Sequence, residues 1–321
     1  MTKAPVIQVF ALGGTIAMTP GDQSGVTPTL SATDLIRAVP SLQNLADFKA
    51  DTIAQRGSAN LAFPLIEKLC RMAEEVTADA VIVTQGTDSM EETSFLASLL
   101  YKGDKPLVFT GAMRTPDQPG ADGPANLHAA ALVALDAQEG SVSLVVNGEV
   151  HDPWLVAKEH TSTLQAFSSE HGPIATIVED KIWWLRGARM GMGLQTKKFA
   201  PVALLSAVLD DDGRLIDNLA SLGYEGVVFE AYGAGHLSEM WADKAEALCA
   251  HMPVILASRA REGRVFEKTY GYVGAEIDLI GRGLIPSGGL RGRKARILLS
   301  LLLGQDDKNW KETFTAAAKS V

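Results

Sequence analysis

Val81 to Thr93 reads VIVTQGTDSMEET, and this stretch decides the fold. Val81, Ile82 and Val83 form a short β-branched apolar run, the pattern of a parallel strand buried on both faces. The run stops at Gln85-Gly86-Thr87-Asp88-Ser89, all turn or N-cap types, and Glu91 and Glu92 fall in the first turn of a following helix, SMEETSFLASLL. Strand, tight loop and helix in that order build an open α/β sheet, whose ligands bind in the crevice beyond the carboxyl ends of the strands. The Thr87 hydroxyl and Asp88 carboxylate are expected to line that crevice. A plainer reading competes, in which Ser89 or Asp88 does no more than cap the helix.

Working outward, Val6 to Leu12 reads as another strand, followed by Gly13-Gly14-Thr15-Ile16-Ala17. Adjacent glycines after a strand permit positive φ and close backbone approach. Met18 to Thr29, MTPGDQSGVTPT, reads as an exposed, mobile loop of the length that lids have. SATDLIRAV follows as a helix capped by Ser31. DTIAQRGSAN (51–60) reads as a loop or short strand, and Leu61, Leu65, Leu69, Met72 and Val76 then recur at helical spacing. Leu107 to Thr110 is a strand ending in Gly111-Ala112-Met113-Arg114. A run of turn residues leads from it to the helix LHAAALVAL and a strand at Val142 to Val146. Asn147 to His171 has no clean period and carries three of the six histidines, the mark of a functional or interfacial segment.

After Ile182-Trp183-Trp184 the run RGARMGMGLQTKKFAP loses its apolar rhythm, and strand–helix alternation then begins again. Strands are expected at Ala203 to Val208, Gly226 to Glu230 and Pro253 to Ala257. Helices are expected around Ser238 to Cys249 and at the closing GRKARILLSLLL. Two parallel-sheet α/β domains follow from this alternation, over 1–195 and 213–321, with 196–212 as the connector.

With 321 residues, 46% of them apolar and 21% charged, the chain can bury two real cores. A net charge of −9 leaves no broad basic face for phosphates, which excludes nucleic-acid binding as the main role. The N-terminal apolar run is too short for a secretory signal, and no stretch approaches the roughly 20 apolar residues that span a bilayer. No membrane partner and a cytoplasmic location are expected. Cys70 and Cys249 lie far apart in apolar helical patterns and read as buried free thiols.

Motifs for serine hydrolases, P-loop ATPases, zinc proteases, dithiol redox proteins and dinucleotide enzymes are missing from the sequence. The histidines do not fall into metal-ligand spacing, so neither a metal nor a cofactor is expected. What remains is a pair of strand-end threonines, Thr15 and Thr87, whose hydroxyls would face one crevice. A hydroxyl becomes an acylable nucleophile when a base activates it. A lysine amine desolvated by its neighbours suits that role, and Lys158, after Val156-Ala157, is the candidate; its competing reading is an ordinary surface charge.

The segments ALGGTIAM (11–18), VIVTQGTDSMEETSFLA (81–97), LVFTGAMRTPDQPGADGPANLHAA (107–130) and AKEHTSTLQAFSSEHGPI (157–174) carry a family resemblance, and GVVFEAYGAGHL (226–237) with PVILASR (253–259) carry it more weakly. Together they resemble the bacterial-type L-asparaginases, the threonine amidohydrolases, over nearly the whole chain. The resemblance implies a larger flavodoxin-like N-terminal domain, a smaller Rossmann-like C-terminal domain, and hydrolysis of L-asparagine, with L-glutamine as a slower substrate. It implies that Thr15 is the nucleophile and that Thr87, Asp88 and Lys158 together activate either Thr15 or the attacking water. Ser58 would hold the substrate α-carboxylate, Asp88 would receive the α-ammonium, and the Ala112 carbonyl would hold the leaving amide nitrogen.

Several positions depart from the family pattern. The lid of many members carries a tyrosine, and 18–30 has none; Tyr270 or Tyr272 is the available substitute. Ala59 follows Ser58 where glutamine is common, Gln85 replaces a histidine, and His236 stands at the asparagine of Gly-x-Gly-Asn, with Glu276 as the candidate for the glutamate that a neighbouring protomer supplies. The resemblance further implies a homotetramer, a dimer of dimers. Three alternatives stand beside an asparaginase: a glutaminase-asparaginase of broader specificity; an amidotransferase component, which would need an added domain for which the chain has no length to spare; and a non-catalytic amino-acid sensor, which would need neither nucleophile nor base.

Overall fold

Val81, Ile82 and Val83 are wholly buried in a strand that has a parallel neighbour on each side. The computed structural model describes residues 3–21, 24–305 and 308–321, which divide into two units, Met1–Leu194 and Gln195–Val321. The first unit contains strands β1 (Val6–Gly13), β2 (Met18–Pro20), β3 (Val26–Pro28), β4 (Asp47–Arg56), β5 (Ala80–Thr84), β6 (Leu107–Thr110), β7 (Val142–Val146), β8 (Glu149–His151), β9 (Val156–Lys158), β10 (Phe167–Ser169), β11 (Ala175–Val178) and β12 (Lys181–Trp184). Its helices are α1 (Ala32–Arg37), α2 (Phe63–Glu75), α3 (Met90–Leu100) and α4 (Gly123–Asp136).

Eight of these strands form one sheet in the order β12-β11-β8-β7-β6-β5-β1-β4. The five from β7 to β4 are parallel, and β8, β11 and β12 extend the sheet antiparallel. Renumbered in chain order, the parallel five run 2-1-3-4-5, the doubly wound flavodoxin-like order. Its topological switch point lies between β1 and β5, because the chain leaves β1 for β4 on one side and then crosses to β5 on the other. Period-2 alternation sends Ile7, Val9 and Ala11 of β1, with Ile82 and Val108, into one core with Leu35 of α1 and Leu127, Ala130 and Val133 of α4. Helix α3 is buried along almost its whole length and packs against β7 and α2, and its buried Ser94 and Ser98 hydroxyls are satisfied by carbonyls of its own turns.

Some elements differ from expectation for identifiable reasons. DTIAQR belongs to the ten-residue β4, an edge strand, whose exposed side explains its polar composition. The expected lid loop is a two-stranded ribbon, β2 pairing antiparallel with β3, and residues 22 and 23 lie outside the described part. The buried face of α2 is Ile66, Leu69, Cys70 and Ala73, turned about one position from the predicted stripe. Burial there raises the Cys70 thiol far above the ordinary cysteine range, while Cys249 is only partly buried. Segment 147–171 contains β8, β9 and β10, each three residues long and so too short to display a period.

The second unit has strands β13 (Val202–Ser206), β14 (Gly226–Ala231), β15 (Val254–Ser258) and β16 (Ile285–Pro286), all parallel and adjacent in chain order. Its helices are α5 (Glu239–Cys249), α6 (Glu276–Gly281), α7 (Gly292–Leu303) and α8 (Trp310–Lys319). Val227, Phe229 and Ala231 meet Trp241, Ala245 and Leu248 of α5 in one core, and α7 packs against β13 and β14. Segment 196–212, expected as a connector, carries β13, whose ladder to β14 makes it part of the sheet. Helix α8 was not expected, since two of its three buried residues, Ala317 and Ala318, give a faint apolar signal beside Phe314.

At the switch point the loops after β1 and β5 touch backbone to backbone. Gly14 has φ +84°, and a Cβ there would lie 2.0 Å from the Gly86 nitrogen. Gly172 has a comparable φ of +79° but open space around it. Gly14→Ala should therefore cost roughly 1–3 kcal/mol more than Gly172→Ala, the clash beyond the shared backbone strain, in urea unfolding of the two variants.

Candidate active site

Four segments converge at the switch point. The loop after β1 supplies Gly14 and Thr15, which opens a single 3₁₀ turn, Thr15–Ala17. The loop after β5 supplies Gly86, Thr87 and Asp88; a Cβ on Gly86 would meet the Ser58 hydroxyl at 2.9 Å. The loop after β6 supplies Gly111 and Ala112, and a Cβ on Gly111 would fall 2.5 Å from the Gln85 carbonyl oxygen and 3.5 Å from Thr87 Cγ2. Ser58 opens the short turn that follows β4. Three glycines thus let the strand-end loops close on one another with no side chain between them.

Thr87 is buried, and its Oγ1 accepts a hydrogen bond from Lys158 Nζ at 2.8 Å. The same nitrogen donates to Asp88 Oδ1 at 2.6 Å. The Lys158 side chain is 13% exposed and the Asp88 side chain 74%, so the amine is shielded while the carboxylate faces outward. Lys158 is therefore not an ordinary surface lysine. The plain helix-cap reading also fails: neither Ser89 nor Asp88 accepts a capping hydrogen bond through its side chain. Ser58 instead braces the loop just before the helix. Its Oγ accepts from the backbone N–H of Asp88 at 3.1 Å and of Ser89 at 3.4 Å, while Ser89 Oγ donates to the Ser58 carbonyl at 2.9 Å. Ser58 is buried with its hydroxyl proton still available to an incoming acceptor.

Two residues that sequence reading passed over hold the Ala112 loop. Asp122 accepts the Met113 N–H at 2.9 Å and the Arg114 N–H at 2.9 Å, and Asn126 Nδ2 donates to the Gly111 carbonyl at 2.9 Å and to Asp122 at 3.0 Å. The Met113 N–H and the Ala112 carbonyl share one planar peptide, so fixing the N–H on Asp122 turns the carbonyl the opposite way. The available signal was Asp122 and Asn126 at i, i+4 around the start of a helix. Gln85 is buried, accepts from Thr93 Oγ1 at 2.9 Å and donates to the Gly86 carbonyl at 3.2 Å, which ties the loop after β5 to α3.

The substitute residues named from sequence gather within the second unit. His236 Nε2 lies 3.2 Å from Glu276 Oε2 and its Nδ1 lies 3.0 Å from Tyr272 Oη, with the Tyr270 ring edge-on at 5.0 Å between centroids. Burial alone would raise the Glu276 carboxyl, but backbone N–H donors from Tyr270 and Thr269, with the His236 hydrogen bond, hold it below the usual range.

Known proteins resemble this arrangement throughout. Residues 6–189 match the family described as asparaginase, N-terminal, and residues 201–314 the glutaminase/asparaginase C-terminal domain. A probable periplasmic L-asparaginase of Haemophilus influenzae is 32% identical over 94% of this chain and 89% of its own length. A glutamyl-tRNA(Gln) amidotransferase subunit from Methanosarcina barkeri is 32% identical over 95% of this chain and 76% of its own. The crystal structure of a probable cytoplasmic L-asparaginase from Campylobacter jejuni superposes with a TM-score of 0.87, at 28% identity, over 99% of this chain and all of that one. With both of its units matched, the chain belongs to the asparaginase family of amidohydrolases.

Proposed function

We propose that this protein hydrolyses the side-chain amide of L-asparagine to L-aspartate and ammonia, with L-glutamine as a slower substrate. The observation that carries the reading is the Lys158 amine held between Thr87 Oγ1 and Asp88 at the switch point where the Thr15 turn also begins. An amide is a poor electrophile, so its hydrolysis needs an activated hydroxyl, stabilisation of the developing anion and a proton for the departing ammonia. Thr15 Oγ1 attacks the amide carbon as its proton passes through the Lys158, Thr87 and Asp88 trio to the amide nitrogen, backbone N–H groups of the two strand-end loops meet the tetrahedral anion, and its collapse expels ammonia and leaves an acyl-threonine. The Lys158, Thr87 and Asp88 trio then draws the proton from the attacking water, which releases aspartate and restores Thr15.

Substrate orientation follows from gripping a small zwitterion at both ends. The Ser58 hydroxyl donates to the α-carboxylate, the exposed Asp88 carboxylate receives the α-ammonium, and the Ala112 carbonyl accepts from the amide nitrogen as it departs. A second reading is favoured by the Methanosarcina relative, named as part of an amidotransferase: the same chemistry releases ammonia to a partner protein. In that case turnover of free asparagine is weak without the partner. The active form in this proposal is a cytoplasmic homotetramer; among the described residues no helix is long and apolar enough to cross a membrane.

Two measurements check these assignments. Thr15→Ala and Thr87→Ala should each lower ammonia release from asparagine by roughly three orders of magnitude or more while circular dichroism stays unchanged. Near-normal turnover by either folded variant removes that threonine from the mechanism. Sedimentation of the active protein should give a tetramer, and a fully active monomer contradicts the assembly.

A further inference from the structure

We infer that Glu91 is a positioning residue that sets where the Lys158 amine sits, an inference that rests on the role proposed for Lys158 above. Lys158 ends β9, which pairs with β10 in a two-stranded ribbon separate from the eight-stranded sheet. Among the described residues no strand ladder ties that ribbon to the strands that deliver Thr87 and Asp88. Glu91 provides a tie of another kind. Its Oε2 accepts the backbone N–H of Lys158 at 3.1 Å across 67 residues of chain. It is 3% exposed and stands in the first turn of α3, three residues after Asp88.

The geometry makes one helix start the reference for all three members of the trio. Thr87 and Asp88 enter α3 directly, and the root of Lys158 is hung from the same turn through Glu91. A lysine stem has four rotatable methylenes, so its amine reaches two oxygens at 2.8 and 2.6 Å only when the root is fixed. Glu91 also stands where a carboxylate would favour the positive end of a helix dipole. The two roles differ in what they require. A dipole partner needs the charge, whereas a tether needs only an oxygen acceptor of the right reach.

Glu91→Gln keeps the acceptor and loses the charge; Glu91→Met fills the same buried space and loses the acceptor. We expect Glu91→Met to lower kcat for asparagine about 10²-fold, as a displacement of order 1 Å does, with KM nearly unchanged, and Glu91→Gln to restore most of the rate. On a Lys158→Met background Glu91→Met should cause no further loss, because a positioning residue has nothing left to position. Reductive methylation followed by mass spectrometry reads the same tie without turnover. Lys158 should label slowly in the parent protein and in Glu91→Gln, and as fast as the exposed Lys181 in Glu91→Met. Equal behaviour of the Gln and Met variants, or an undiminished loss on the Lys158→Met background, overturns the inference. If the parent protein releases no ammonia from either amide, the proposed function fails, and the labelling comparison still decides whether Glu91 holds Lys158.

Discussion

Gly14 and Gly86 meet where a side chain on either would occupy space already filled, and that contact governs the rest of the candidate site. Parallel strands lie about 4.8 Å apart, so the loops that leave adjacent strands at their carboxyl ends start out as close neighbours. Any Cβ between them would push Thr15 and Thr87 apart. The doubly wound order supplies the second half of the constraint: at the switch point the chains leaving β1 and β5 turn in opposite directions, which opens a crevice and leaves its walls to those two loops. Sheet topology and two missing side chains together bring the threonine loops side by side.

Holding such loops still is an electrostatic task, since irregular backbone away from water must find partners for its N–H groups. Buried or shielded oxygens meet that need throughout the molecule. Ser58 accepts from the Asp88 and Ser89 amides just before α3, Asp122 from the Ala112 loop, Glu91 from Lys158, and Glu276 from Thr269 and Tyr270. Ser58 and Glu91 each come from an element other than the one whose amides they receive, while Asp122 ties the start of its own loop to the start of α4. Cooperative folding of the unit is thus what assembles the site.

The central strands were legible in the sequence because burial on both faces leaves only β-branched and apolar residues at Val81 to Val83 and at Leu107 to Thr110. Thr15, Thr87 and Asp88 were legible as candidates because turn residues follow those strands abruptly. The edge strand β4 was not, since solvent on one side allows the polar run DTIAQR, and the three-residue strands of 149–169 carry no measurable period. The ties were the hardest to see. Glu91 reads as an ordinary first-turn acid, and its partner Lys158 lies 67 residues away, beyond the reach of any local pattern; Asp122 reads as a turn residue whose only local mark is Asn126 four residues on.

The contrast between Lys158 and Asp88 bears on what the site can accept. An amine 13% exposed and hydrogen-bonded to two oxygens is poorly placed to serve as a general anion trap, because it is shielded and two of its three donors are already taken. A carboxylate 74% exposed keeps most of its surface for a cationic group arriving from solvent. The crevice therefore presents an outward carboxylate and a shielded amine, a polarity suited to a small ligand with a cationic group near Asp88 and an uncharged end toward the buried hydroxyls. An anionic ligand with no cationic group would leave Asp88 without a partner from solvent and set its own charge near that carboxylate.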